Sequence, residues 1–244
     1  MTYATPGAAS APTVVLVHGA FADAGSWREV IALLQAEGVA VLAPANPLRS
    51  PASDGAYLAS LVNQIPGPVL LVGHSYGGAV ISVAAPLAEN VVGLAYVCAF
   101  IPDEGESLQA LSEHATDSEL GPALRPVPFV DGAGQGVELY IDQSLFHAAF
   151  CADLPAEQAA IMAVSQRPAS AAGFGEIIGP VGWKSLPSWA MISPSDVTIG
   201  PAGERLMAER AGSVIVEVDS SHVAMLSHPQ VVTDMIVAAL GALA

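Results

Sequence analysis

The sequence predicts an α/β fold: a mostly parallel six-stranded sheet flanked by helices, with a helical cap inserted after the fourth strand. Short apolar runs bounded by Gly or Pro alternate with helical stretches, giving strand, helix, strand, helix, strand, helix, strand over residues 13–100. That rhythm requires parallel strands joined by right-handed crossovers. It fails after residue 102 and resumes at 189, as expected of an insertion between two strands.

Taken in order, residues 1–12 are rich in Ala, Pro and Ser and are expected to form a loose arm. Residues 13–18 (TVVLVH) are β-branched and apolar without alternation, the pattern of a strand buried on both faces. Ser26 is a candidate cap for a helix carrying Val30, Ile31, Leu33 and Leu34, which Gly38 ends. Residues 39–43 form the second strand, stopped by Pro44. Asp54 is a candidate cap for a helix over 56–64, which Pro66-Gly67-Pro68 breaks. The third strand is 69–72, a small-residue helix follows over 79–88, and 91–100 is the fourth strand.

Residues 103–186 show no strand alternation, and a structureless loop of that length does not suit a compact domain. A mostly helical lobe is expected there, with helices over 140–151 and 156–165. Residues 1–102 and 187–244 then make up the core. Its last part comprises strands at 189–193 and 214–218 and helices at 204–210 and 231–243.

Composition narrows the function. The 244 residues are 52% hydrophobic and 12% charged, with 23 acidic against 7 Lys+Arg and a net charge of −16. A chain of this length suits one domain and buries roughly three quarters of its unfolded surface, and one so apolar is not disordered. Phosphate backbones and anionic membranes are poor partners for it. Cys98 and Cys151 supply neither a disulfide framework nor a cysteine metal site. Residues 1–10 lack a basic and an apolar signal region, and the nearest candidate for a membrane span, the uncharged 69–88, contains GHSYGG. A soluble cytoplasmic protein is expected.

The chemistry centres on Gly73-His74-Ser75-Tyr76-Gly77, at the turn from the third strand into a helix. G-x-S-x-G in that setting is a nucleophile elbow: the Ser sits on a strained turn and the glycines make room. A serine hydroxyl needs a base. Of the six His, His222 follows the sixth strand in a polar loop at a strand's carboxyl end, where such sheets place their ligands. It also fits the chain order Ser, acid, His. His18 and His74 are expected to hold loops, His114 and His147 to lie in the lobe, and His228 to start a helix.

The acid is expected after the fifth strand. Asp196 leaves room for one helix and one strand before His222, and Asp103, after the fourth strand, is its rival. Backbone N–H groups of Tyr76 and Ala20 are the candidate oxyanion donors, with Phe21 in reserve.

LVHGAFADAGSW, LVGHSYGGAV, the Asp196 loop and SSHVAMLSHPQ together resemble the α/β-hydrolase superfamily, most closely its small methylesterase and hydroxynitrile-lyase branch. The resemblance covers residues 13–100 and 188–230 well and the lobe weakly. It implies a Ser75–Asp196–His222 triad and an Ala20/Tyr76 oxyanion hole. Lyases of this branch carry Thr and Lys where this chain has Gly19 and Val223, so it is similar to the esterase side. The expectation is a serine carboxylesterase for small, largely apolar esters, without cofactor or metal and with its oligomeric state open. Phe21, Phe100, Phe146 and Val223 are the candidate substrate-binding residues, and Phe129, Tyr140, Phe150 and Trp183 are further candidates for the pocket wall. The rivals are lactone opening, C–C hydrolysis or perhydrolysis on the same triad, or a ligand receptor on the same fold.

Overall fold

The computed structural model describes residues 11–114, 117–131 and 134–244; the arm expected over 1–12 lies largely outside them. The chain opens with β1 (Thr13–Val17). A 3-10 turn over Ala24–Trp27 then leads into α1 (Arg28–Ala36). Asp23, not Ser26, caps that turn, its carboxylate accepting the Gly25 N–H at 2.7 Å. β2 is reduced to Val41–Leu42. α2 (Pro51–Val62) begins earlier than expected: Ser50 caps it and Pro51 takes the first helical position, where its missing N–H costs nothing. Asp54 therefore lies inside the helix, buried, rather than at its cap.

β3 (Val69–Ser75) is buried at every position and runs directly into α3 (Tyr76–Ala84), itself apolar all round and wholly buried. β4 (Val91–Ala99) follows. Beyond the lobe come β8 (Ser188–Ile192), α9 (Pro201–Arg210), β9 (Val214–Glu217), α10 (Ala224–Ser227) and α11 (Pro229–Ala242). The sheet order is β2-β1-β3-β4-β8-β9, every pair parallel. The chain leaves β1 towards one edge and β3 towards the other. The carboxyl ends of this pair are thus the switch point, where open α/β sheets hold their ligands.

Between β4 and β8 the chain forms α4 (Leu108–His114), α5 (Leu120–Ala123), β5 (Leu124–Asp131), β6 (Gly134–Ile141), α6 (Phe146–Phe150), α7 (Ala156–Ser165), β7 (Ala169–Ser170) and α8 (Ala171–Gly175). α7 matches the expected helix. The helix expected over 140–151 is instead the end of β6 and the short α6. Beside the helices lies an antiparallel ribbon, β5-β6-β7, that the sequence concealed. β5 carries Pro126 and Pro128, two residues apart, so both missing donors face the same side. Among the described residues β5 pairs only with β6, so its other edge is open, a position where prolines are tolerated. Among the described residues no helix is long and apolar enough to cross a membrane.

The elbow is held by close packing. A Cβ on Gly77 would lie 2.4 Å from the carbonyl oxygen of Val17, and one on Gly73 would lie 2.6 Å from the Gly77 carbonyl carbon. Gly77→Ala is therefore expected to destabilise the fold by about 1–3 kcal/mol in urea unfolding, as overpacking does. Gly241→Ala, on α11 with nothing within 4 Å, should be neutral or slightly stabilising.

Candidate active site

Ser75 ends β3 and caps α3 with φ 54° and ψ −124°, a left-handed conformation that a non-glycine residue holds only when its surroundings enforce it. Gly19 enforces it from one side. A Cβ there would lie 2.6 Å from Ser75 Cβ, so the loop after β1 rests directly on the serine. A threonine side chain has no room at this position.

The structure brings Asp196 and His222 together. Each side chain is wholly buried, and His222 Nδ1 lies 2.6 Å from Asp196 Oδ2. With Nδ1–H donating to the carboxylate, Nε2 keeps its lone pair, and it is buried without a hydrogen-bonding partner among the described residues. The other oxygen of Asp196 accepts the N–H groups of Thr198 at 2.6 Å and Ile199 at 3.2 Å. Burial alone raises the Asp196 pKa, but the charge and hydrogen bond of His222 outweigh it and hold the carboxyl below its ordinary range.

His74 ties this pair to the elbow. Its Nε2–H donates to the His222 carbonyl at 2.9 Å, and its ring lies 4.7 Å from the His222 ring. His18 holds the neighbouring loop as expected, with Nδ1 on the Gly19 carbonyl and Nε2 accepting the Asn46 N–H, both at 2.9 Å. Burial keeps both rings neutral, lowering the His18 pKa to about 4 and that of His74 well below its usual value.

The loop after β1 separates the two oxyanion candidates. Phe21, itself at φ 62°, donates its N–H to the Arg167 carbonyl at 2.9 Å and is committed there. The N–H groups of Ala20 and Tyr76 have no partner among the described residues. Asp103 lies elsewhere: it pairs with Lys184 at 2.5 Å, half-buried, and has no contact with His222.

Phe21, Phe100, Phe146 and Val223 are all buried. Phe100 donates its N–H to the Ser75 carbonyl at 3.2 Å and so braces the elbow from the backbone. Val223 starts α10 beside His222. Beside the histidine lies Phe150, whose ring is 5.2 Å from His222, 6.1 Å from Phe21 and 5.0 Å from Phe146. Phe129 lies under Arg49, and Trp183 donates to the Pro102 carbonyl. His147 bonds the Leu154 carbonyl and His228 the Ser227 hydroxyl, while the His114 side chain lies outside the described residues.

Two acids, Asp54 and Glu204, are buried in a way not expected from the sequence. Asp54 accepts the Tyr76 hydroxyl at 2.8 Å, and Glu204 on α9 accepts the Ser193 N–H at 3.0 Å. Glu204 shares the buried stripe of its helix with Met207 and Ala208, a spacing visible in the sequence and the one signal that marked it.

A strained serine thus stands at the switch point of a parallel sheet, and His74 beside it is hydrogen-bonded to the backbone of His222 in a buried Asp–His pair. The family model for the alpha/beta hydrolase family matches residues 14–235, and the chain belongs to that family. It is 36% identical over 119 aligned residues to a carbendazim hydrolyzing esterase of Nocardioides sp. (strain SG-4G), covering 43% of this chain and about half (49%) of that relative's length. To methylesterase 8 of Arabidopsis thaliana it is 25% identical over 253 residues, 92% of this chain and 88% of that one. Polyneuridine aldehyde esterase has the same fold at TM-score 0.80 and 19% identity, covering 93% of this chain and 98% of that one. A pyrethroid hydrolase from Sphingobium faniae JZ-2 follows at TM-score 0.74 and 22% identity, covering 95% and 98%.

The neutral histidines set the acid stability. Folded His18 holds a pKa of about 4 against 6.5 when exposed, so between these values only the unfolded chain takes the proton. Stability is therefore complete above about pH 6.5 and falls on acidification towards pH 4, with His18 accounting for on the order of 3 kcal/mol. His18→Gln, whose amide can make both hydrogen bonds, should lose on the order of 3 kcal/mol less than wild type between pH 7 and 4 in urea unfolding.

Proposed function

We propose that this protein is a serine carboxylesterase acting on small, largely apolar esters. The observation that carries this reading is the buried His222–Asp196 pair, with His222 Nε2 unpartnered, tied through His74 to the strained Ser75 elbow. The names of the esterase and methylesterase relatives support ester cleavage.

In this mechanism His222 Nε2 takes the Ser75 proton as Oγ attacks the ester carbonyl. The Ala20 and Tyr76 N–H groups receive the developing oxyanion. The imidazolium, held by Asp196, then gives its proton to the departing alkoxide, leaving an acyl-enzyme. Water repeats the sequence: its proton passes to His222, its oxygen bonds the acyl carbon, and the Ser75 oxygen leaves with that proton.

Two clefts border residues that flank the serine. One of about 420 Å³ is lined by Leu120, Leu124, Leu139 and Phe174, and Phe174 packs against Tyr76 at 5.8 Å. The other, of about 620 Å³, is lined by Phe21, Met162 and Leu226. Both clefts mix these apolar walls with polar and charged residues, Arg28 and Glu157 in the larger and Glu113 in the smaller, and the net charge of −16 favours neutral esters over anions. We place the protein in the cytoplasm, in keeping with two buried, unpaired thiols.

Ser75→Ala should lower turnover of a p-nitrophenyl ester by several orders of magnitude while leaving the unfolding midpoint near that of wild type. More than about a tenth of wild-type turnover would sink the covalent route. Asp196→Asn should cost on the order of 10⁴ in turnover by favouring the wrong imidazole tautomer. Asp103→Asn, which loses only a half-exposed pair with Lys184, should stay within about twofold. The reverse order on the same ester would place the acid after β4.

A further inference from the structure

Behind the Asp196–His222 pair lies a second carboxyl group that the mechanism above does not use. Glu204 projects from the first turn of α9 and is 2% exposed. Cys98 Sγ, a carboxylate oxygen of Asp196 and one of Glu204 all lie within 4.8 Å of one another. Glu204 Oε2 accepts the Ser193 N–H at 3.0 Å, while Oε1 is buried and has no partner among the described residues.

Two ionised carboxylates cannot share this space. The groups facing Glu204 are Asp196 from the loop after β8, Cys98 from β4 and Asp117 from the lobe, and none supplies a cation. The two arginines of α9 point elsewhere, Arg205 to Glu217 and Arg210 to Glu106. The set is also a poor cation site. Asp196 already spends one oxygen on His222 and the other on two backbone N–H groups, and burial pushes the Cys98 thiol well above its ordinary range. One proton relieves both difficulties. It removes one of the two like charges and converts the orphaned Oε1 from an acceptor into a donor.

We infer that Glu204 is a neutral carboxylic acid in the resting protein and that its Oε1–H donates to the Asp196 carboxylate, making Glu204 a positioning residue behind His222. Burial first, and the Asp196 charge second, raise the Glu204 pKa well above its usual range, in agreement with the geometry. The donated bond joins those from His222, Thr198 and Ile199 and keeps Asp196 ionised at complete burial, where a lone carboxylate would neutralise itself.

This inference rests on the serine-hydrolase reading above, so its first test is made on the resting protein without turnover. The carboxyl ¹³C resonance of Glu204 is assigned by its loss in Glu204→Gln. It should have the protonated shift at pH 7, and an ionised Glu204 at pH 7 would overturn the inference whatever the activity. The second test compares kcat/KM on a p-nitrophenyl ester across pH. Glu204→Gln keeps both hydrogen bonds and should stay within about threefold of wild type with its acid limb unmoved. Glu204→Leu removes the donor and should lose roughly tenfold or more, the worth of one hydrogen bond to a charged group. Its acid limb should move up by about half a pH unit or more, because charge concentrates on the Asp196 oxygen facing His222 and favours the imidazolium. Gln and Leu variants alike in both rate and limb would reduce Glu204 to a packing residue. Should the Leu variant fail to fold, the carboxyl resonance of the wild type decides alone.

Discussion

The structure depends on one steric constraint: the carboxyl ends of β1 and β3 touch, with no room for a side chain at Gly19 or Gly77. This contact presses Ser75 into a left-handed backbone that costs on the order of 1–3 kcal/mol. The strain persists because β3 is anchored at every residue. Val69, Leu70, Leu71 and Val72 are each wholly buried, and one such side chain contributes about 1.5–3 kcal/mol. Four of them outweigh the strained serine. Ala20 and Tyr76, whose backbone N–H groups have no partner among the described residues, lie on the two chain segments that meet here.

Electrostatics at the site follow from burial. Water is excluded from His18, His74, Asp196, Glu204 and His222, so each charge must be matched or removed. His18 and His74 are neutral; His18 uses one ring nitrogen as donor and the other as acceptor, and His74 donates through Nε2. Their hydrogen bonds run to the backbone of the two loops that carry Gly19 and His222, and so fix loop geometry without adding charge near the serine. The negative charge of Asp196 is then directed at His222.

Much of this was legible in the sequence because it is local. The strand-helix rhythm, the G-x-S-x-G turn and the His222 loop are patterns of adjacent residues, and the structure assembles them as a parallel sheet with an Asp196–His222 hydrogen bond. What was hidden depends on partners distant in sequence. β5 carries prolines because its outer edge is free, a fact about its neighbours rather than its own residues. Asp54 reads as a helix cap until Ser50 takes that place and Tyr76 claims its carboxylate. Glu204 resembles any solvated acid of a charged helix, and only its spacing with Met207 and Ala208 betrays the buried side.

The bond from Phe21 N–H to the Arg167 carbonyl joins the two parts of the molecule at a sensitive point. Arg167 belongs to the stretch between α7 and β7, whereas Phe21 belongs to the loop resting on Ser75. The inserted lobe thus occupies one of two neighbouring amides and leaves the other, on Ala20, free. Core and lobe are therefore not interchangeable modules. A lobe transplanted from a relative would leave the Phe21 amide without its partner unless it also presented a carbonyl at this point. Divergence of the lobe is thereby constrained at one backbone oxygen, independently of the side chains around it.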